Sequence, residues 1–191
     1  MTGPGASQPQ TRRVDAERNR QRILTAARAA FADPDADLSM AEIARRAGVG
    51  SATLYRNFTS RRELLEAIYV DEIDAVCEAA ATIDRDTPGA TFTAWLRRFY
   101  TYFTSKRVVA AELLEHSDAN DPVFGTGLTR VLDASRPLLL AAQESGEIRT
   151  DLTLEQILDM VAAVAKIPGG ADYREPILQA ALDAVWPVKD D

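Results

Sequence analysis

"SMAEIARRAGVGSATLYRNF", residues 39–58, decides how the chain folds. Two short helical patterns flank a glycine. Ser39 and Glu42 form a capping box, with the hydroxyl taking a free N–H and the carboxylate reaching back. The helix they open ends near Ala47. Gly48 supplies the left-handed backbone that a tight turn requires, with no Cβ to clash. A second helix covers residues 50–57. Ala44 is small enough for a close helix crossing, Val49 can pin the turn, and Leu54 points inward with Ile43 and Ala47. Phe58 closes the unit. Two short helices meeting steeply across a glycine turn make a helix-turn-helix.

With Leu54 inward, helical spacing sends Ser51, Thr53, Tyr55, Arg56 and Asn57 mostly elsewhere. All five are hydrogen-bonding types that DNA readers use on phosphates or base edges. Charge supports an anionic partner. The chain carries a net charge of −7, yet residues 1–62 hold 11 Lys and Arg against 6 Asp and Glu. Residues 63–191 hold 11 against 23. A basic first third therefore sits on an acidic body. A second capping box, Ser60 with Glu63, opens a long helix. Arg61 lies at that helix N-terminus, where an anion is already favoured, so a phosphate contact is expected there. Arg12 and Arg13 suit a minor groove or phosphates equally with a solvated tail, and Arg45 and Arg46 suit the solvated face of their helix.

Elsewhere the apolar residues also recur at helical spacing, and nothing reads as a strand. Residues 1–12, rich in Gly, Pro, Ser and Gln, are expected to form a flexible arm. Helices are expected over about Asp15–Ala32, residues 61–83, 89–104, 106–116, 122–143 and 153–166, with a last one carrying Ile177 to Val185. "DPDAD" ends the first of them, and "HSDANDP" separates two others. Thr153 and Gln156 make a third capping box. Pro176 fits the first turn of the last helix, with Glu175 or Asp172 as its cap. The fold class is all-α, with about nine helices and no internal repeat. One cysteine, Cys77, excludes an internal disulfide and a cysteine-built metal site. The opening "MTGPGASQPQTRR" lacks the apolar core of a signal peptide, and no apolar run is long enough to cross a bilayer. These features point to a soluble, cytoplasmic protein.

The run from Ser39 to Leu65, with "IA..AGV", "TLY..F" and a Ser-basic-x-Glu-Leu helix start, closely resembles the N-terminal domain of TetR-family transcriptional regulators. The resemblance covers about residues 15–65. It implies an arm at 1–12, a DNA-binding domain at 13–60 and a ligand-binding and dimerisation domain at 61–191. It also implies a repressor that binds a palindromic operator in double-stranded DNA as a homodimer and leaves it when a small molecule binds. By position, Ser39 and Met40 would lie beside the DNA backbone. Ser51, Ala52, Thr53, Tyr55, Arg56 and Asn57 would face the major groove or its phosphates. The family often has His where this chain has Asn57, so an operator sequence does not carry over.

In the body, Trp95, Phe99, Tyr102, Phe103, Phe124 and Met160 suit either an apolar pocket or a packed core. Leu154, Ile157, Leu158 and Val161 form one stripe, and Ile177, Leu178, Ala181, Leu182 and Val185 another. Each stripe suits either a two-fold interface or the chain's own core, and the resemblance favours the interface. Neither a catalytic set nor a cofactor or metal motif is expected, and His116 and Cys77 stand singly. Two other classes are a helical adaptor that has lost DNA binding and a helical enzyme. Tyr55, Arg56 and Arg61 argue against the first, and the absence of an identifiable set of convergent titratable groups argues against the second.

Overall fold

A computed structural model describes residues 8–32, 39–115 and 122–187, and every described element is a helix or a connection between helices. The helices are α1 (Gln8–Ala32), α2 (Met40–Ala47), α3 (Ser51–Asn57), α4 (Arg61–Thr82), α5 (Pro88–Glu115), α6 (Pro122–Glu144), α7 (Leu154–Lys166) and α8 (Ala171–Asp183). Residues 33–37 and His116 lie outside the described residues, as do the side chains of Arg12, Arg13 and Phe124.

The chain divides into two compact units. The first holds α1, α2, α3, α4 up to Tyr69, and the end of α5 from residue 108. Ile23, Leu24, Ala27, Ala30 and Phe31 give α1 one buried face, against which α2 and α3 pack. The second unit holds the rest of α4 and α5 with α6, α7 and α8. Its core is built around Phe92, Trp95, Leu96 and Phe99 of α5. The Trp95 indole donates to the Val76 carbonyl at 3.2 Å, giving a buried N–H the partner it needs.

Three boundaries differ from the sequence reading. Helix α1 begins at Gln8, so residues 8–12, assigned above to the arm, are helical. Helix α5 is continuous where two helices were expected, which gives eight helices among the described residues. Residues 90–115 contain neither Gly nor Pro, so no residue there forces a stop. Helix α8 starts five residues before Pro176, capped by the backbone of Gly170 rather than by Glu175 or Asp172. Helix α6 runs through Pro137, whose exposed ring costs a hydrogen bond without ending the helix.

The three capping boxes fare differently. The box of Thr153 and Gln156 is complete, with both reciprocal bonds present. Ser60 accepts from the Glu63 N–H at 3.1 Å, while the Glu63 carboxylate takes the backbone N–H and the hydroxyl of Thr59, each at 2.7 Å. Ser39 accepts from the Glu42 N–H at 3.2 Å. Both Glu42 oxygens face Arg45 and Arg46, at 2.7 and 2.8 Å, and not the cap as expected.

Candidate nucleic-acid interface

The first unit is organised by its glycine turn. Gly48 has φ 63° and ψ 38°, the left-handed region. Its N–H donates to the Arg45 carbonyl, and the Val49 N–H donates to that of Ala44. These two bonds make a Schellman motif, which closes α2 and redirects the chain into α3. The Arg22 guanidinium reaches from α1 to donate to the Gly48 carbonyl at 3.2 Å. A Cβ on Gly48 would lie 2.6 Å from that guanidinium. Ala44 is buried, 3% exposed, and Val49 is half-buried.

Helix α3 then sorts its side chains. Leu54 is fully buried, while its neighbour Tyr55 is 52% exposed. Ser51, Ala52 and Arg56 are exposed, and Thr53 and Asn57 are half-buried. Arg56 donates to the Thr53 hydroxyl at 3.0 Å, which orders its guanidinium along the helix. The Asn57 amide donates to the Thr53 carbonyl at 2.8 Å, which folds it back along its own helix. Ser39 and Met40 are half-buried at the start of α2.

Two contacts have no signal in helical spacing because their partners lie far apart in sequence. Arg20 of α1 stacks over the ring of buried Phe58, 4.6 Å from its centroid. Arg61, at the start of α4, stacks over Phe31 of α1 at 5.5 Å. Both contacts tie the chain just after α3 to the first helix. Electrostatics also order the first turns of α2 and α4. Hydrogen bonds from Arg45 and then Arg46 hold the Glu42 carboxyl down at about 2. The Thr59 hydroxyl and N–H hold Glu63 below its ordinary range, with a smaller contribution from the charge of Arg20.

The body residues singled out in the sequence are placed mainly inside. Trp95, Phe99 and Tyr102 are buried, and Phe103 is half-buried. Their rings lie against one another, Trp95 to Phe99 at 5.8 Å and Phe99 to Phe103 at 5.9 Å. Lys166 sits 5.7 Å from the Phe103 ring, and Met160 is half-buried on α7. The interface stripes need correction. Leu154, Ile157, Leu158, Val161, Leu178, Leu182 and Val185 are at most 3% exposed within a single chain. Those seven belong to the chain's own core, because an apolar stripe on a packed helix is buried first against its own body. Ile177 and Ala181 remain half-buried.

Comparison with known proteins matches this architecture at both ends of the chain. The family model for bacterial regulatory proteins of the tetR family covers residues 23–68. A model for the C-terminal domain of SbtR-like transcriptional regulators covers residues 87–186, more than half of the chain. The chain belongs to the TetR family. A TetR transcriptional regulator from Streptomyces coelicolor is 33% identical, over 88% of this chain and 98% of that one, with a TM-score of 0.71. A TetR regulatory protein from Mycobacterium vanbaalenii is 26% identical over 92% and 99%, with a TM-score of 0.73. RolR, solved in complex with its ligand resorcinol, is 26% identical over 90% and 89%, with a TM-score of 0.53. A comparison with curated proteins finds no match. This TetR-family chain is thus an all-α transcriptional regulator with an N-terminal helix-turn-helix for DNA binding. Among its described residues no helix is long and apolar enough to cross a membrane.

Proposed function

We propose that the protein is a cytoplasmic repressor that holds a palindromic operator as a homodimer and releases it on binding a small molecule. The observation that carries the DNA-reading part is the contrast on α3, where Leu54 is sealed and Tyr55 projects. Ser51, Ala52, Thr53, Tyr55, Arg56 and Asn57 read the major groove or its phosphates. Ser39 and Met40 approach the backbone at the start of α2, and Arg61 approaches it from α4. The surplus of basic residues before position 63 supplies the sequence-independent attraction. Functionally the chain divides into a reader at 13–60 and an effector and dimerisation body at 61–191.

The dimer uses the outward faces of α7 and α8, which pack on each other within the second unit. Exposed Tyr173, Pro176 and Ala180 follow one line along α8, beside half-buried Ile177 and Ala181. Exposed Gln156 and Ala163, with half-buried Met160, follow one line along α7. Small residues there allow a partner helix to approach closely. Two-fold pairing of such hairpins suits a palindrome.

RolR's complex with resorcinol supports a small-molecule effector for a body of this fold. The ligand acts by its differential affinity for two settings of α4, whose first residue is the proposed phosphate contact. The test begins with genomic fragments that the purified protein retains. Fluorescence anisotropy then gives operator affinity with and without metabolites made or consumed by the products of neighbouring genes. Sequence-specific binding that a ligand weakens is the expected result. Failure to retain any fragment above non-specific background overturns the repressor reading. Equal affinity with a ligand proved to bind overturns the release step.

A further inference from the structure

The second unit keeps most of its arginines engaged. Arg97, Arg130, Arg136 and Arg149 face Glu175, Asp74, Glu155 and Asp151. Arg174 spans the Tyr100 hydroxyl and the carbonyls of Ile167 and Gly169. Arg85 and Arg98 are different. Among the described residues the Arg85 guanidinium meets only the carbonyl of adjoining Asp84, at 2.6 Å. Arg98 is exposed and has no carboxylate partner among the described residues. Both line the same groove, a trough of about 570 Å³ between the second half of α4 and the first half of α5.

The groove is built by one face of each helix. Ala75, Ala79 and Ile83 on or just beyond α4 and Ala94 on α5 are half-buried and make an apolar floor. Arg85, Arg98, Thr82 and Thr101 are exposed and make a polar rim. The two threonine hydroxyls donate to carbonyls of their own helices, Glu78 and Arg97, and keep lone pairs for an incoming donor. Glu78 also lines the groove and repels a second negative charge. The volume falls in the range of small-molecule sites. Two uncompensated guanidiniums over a methyl floor, in a segment with 12 more acidic than basic residues, are complementary to one class of guest.

We infer that this groove binds an organic monocarboxylate with a compact apolar body, the carboxylate on Arg85 and Arg98 and the body on the alanine floor. The site is distinct from the aromatic core around Trp95, and occupancy is defined whether or not the guest regulates DNA binding. A bidentate guanidinium bond supplies the anchor, and burial of the ring on the floor supplies the rest.

Calorimetric titration of the full chain without DNA tests this with 2-naphthoate, its neutral analogue 2-naphthylmethanol, and inorganic phosphate. The naphthoate is expected to bind, and the alcohol to bind at least about tenfold more weakly. The double variant Arg85→Gln/Arg98→Gln should lose at least about tenfold, and Ala79→Leu, which fills the floor, should lose a similar factor while both keep the wild-type circular dichroism and melting curve. Arg149→Gln, outside the groove, should bind as the wild type does. Naphthoate affinity unchanged in both groove variants overturns the assignment. So does equal binding of acid and alcohol, displacement of naphthoate by millimolar phosphate, or no binding at all.

Discussion

Leu54 and Tyr55 are adjacent, yet one is sealed and the other half in solvent. A turn of about 100° per residue separates them, so the first can meet the core while the second faces outward. Tyr55→Ala and Arg56→Ala should therefore weaken specific operator binding by about 1–3 kcal/mol while leaving the melting temperature close to wild type. Anisotropy titrations on a selected operator check this, and unchanged affinity in both would place the reading surface elsewhere. Arg61 combines its stack on Phe31 with a place at a helix N-terminus. Arg61→Ala should weaken binding to every sequence and reduce the salt slope by about 1. A lowered melting temperature with an unchanged salt slope would leave the residue only its structural task. Gly48 is set by backbone rather than by side chain. Gly48→Ala places a Cβ at positive φ and against Arg22, and should destabilise the fold by about 1–2 kcal/mol in urea titration.

Helices of this chain are legible from sequence where local chemistry ends them. Ser39, Gly48, Ser60 and Thr153 each mark a boundary that the structure keeps to within a residue. The bonds that cap these helix ends span at most five residues, so sequence contains both partners. Boundaries set by longer contacts are not legible in that way. The continuous α5 lacks a breaker at the expected gap, and α8 starts at a glycine without a side-chain cap. Helix α2 offers an electrostatic test. Its Glu42 carboxyl is held at about 2, below an ordinary 4.5, by Arg45 and Arg46. A depressed folded-state pKa contributes stability that is present above pH 4.5 and lost as pH falls through about 2. The gap in melting temperature between wild type and Glu42→Gln should thus be largest near neutral pH and shrink between 4.5 and 2. The Arg45 side chain is 75% exposed, so the gap is small and shrinks further in high salt. A gap that widens on acidification would show that the clamp does not stabilise α2.

At the scale of the whole molecule, burial decides which apolar stripe is core and which surface remains for a partner. Ala180→Glu sets a charge on the outer line of α8, where the side chain is exposed in a single chain. It should halve the mass measured by light scattering and leave the chain folded. Leu158→Glu, at a position 3% exposed, should instead unfold the second unit, because an unpaired charge there has no water. An unaltered dimer mass for both Ala180→Glu and Ala163→Glu would move the interface off these helices.

By itself the sequence determined the helical class, the glycine turn and the order inside–outside along α3, because each follows from contacts a few residues apart. It also carried the family, through a motif whose parts lie within residues 39–65. Only the tertiary structure decided that Arg20 and Arg61 stack on Phe58 and Phe31, that the stripes of α7 and α8 turn inward, and that two unpaired arginines share one groove. A period of 3.6 residues states that a helix has an apolar face. Which neighbour covers that face is fixed by elements distant in the chain, and that pairing appears only once they have packed.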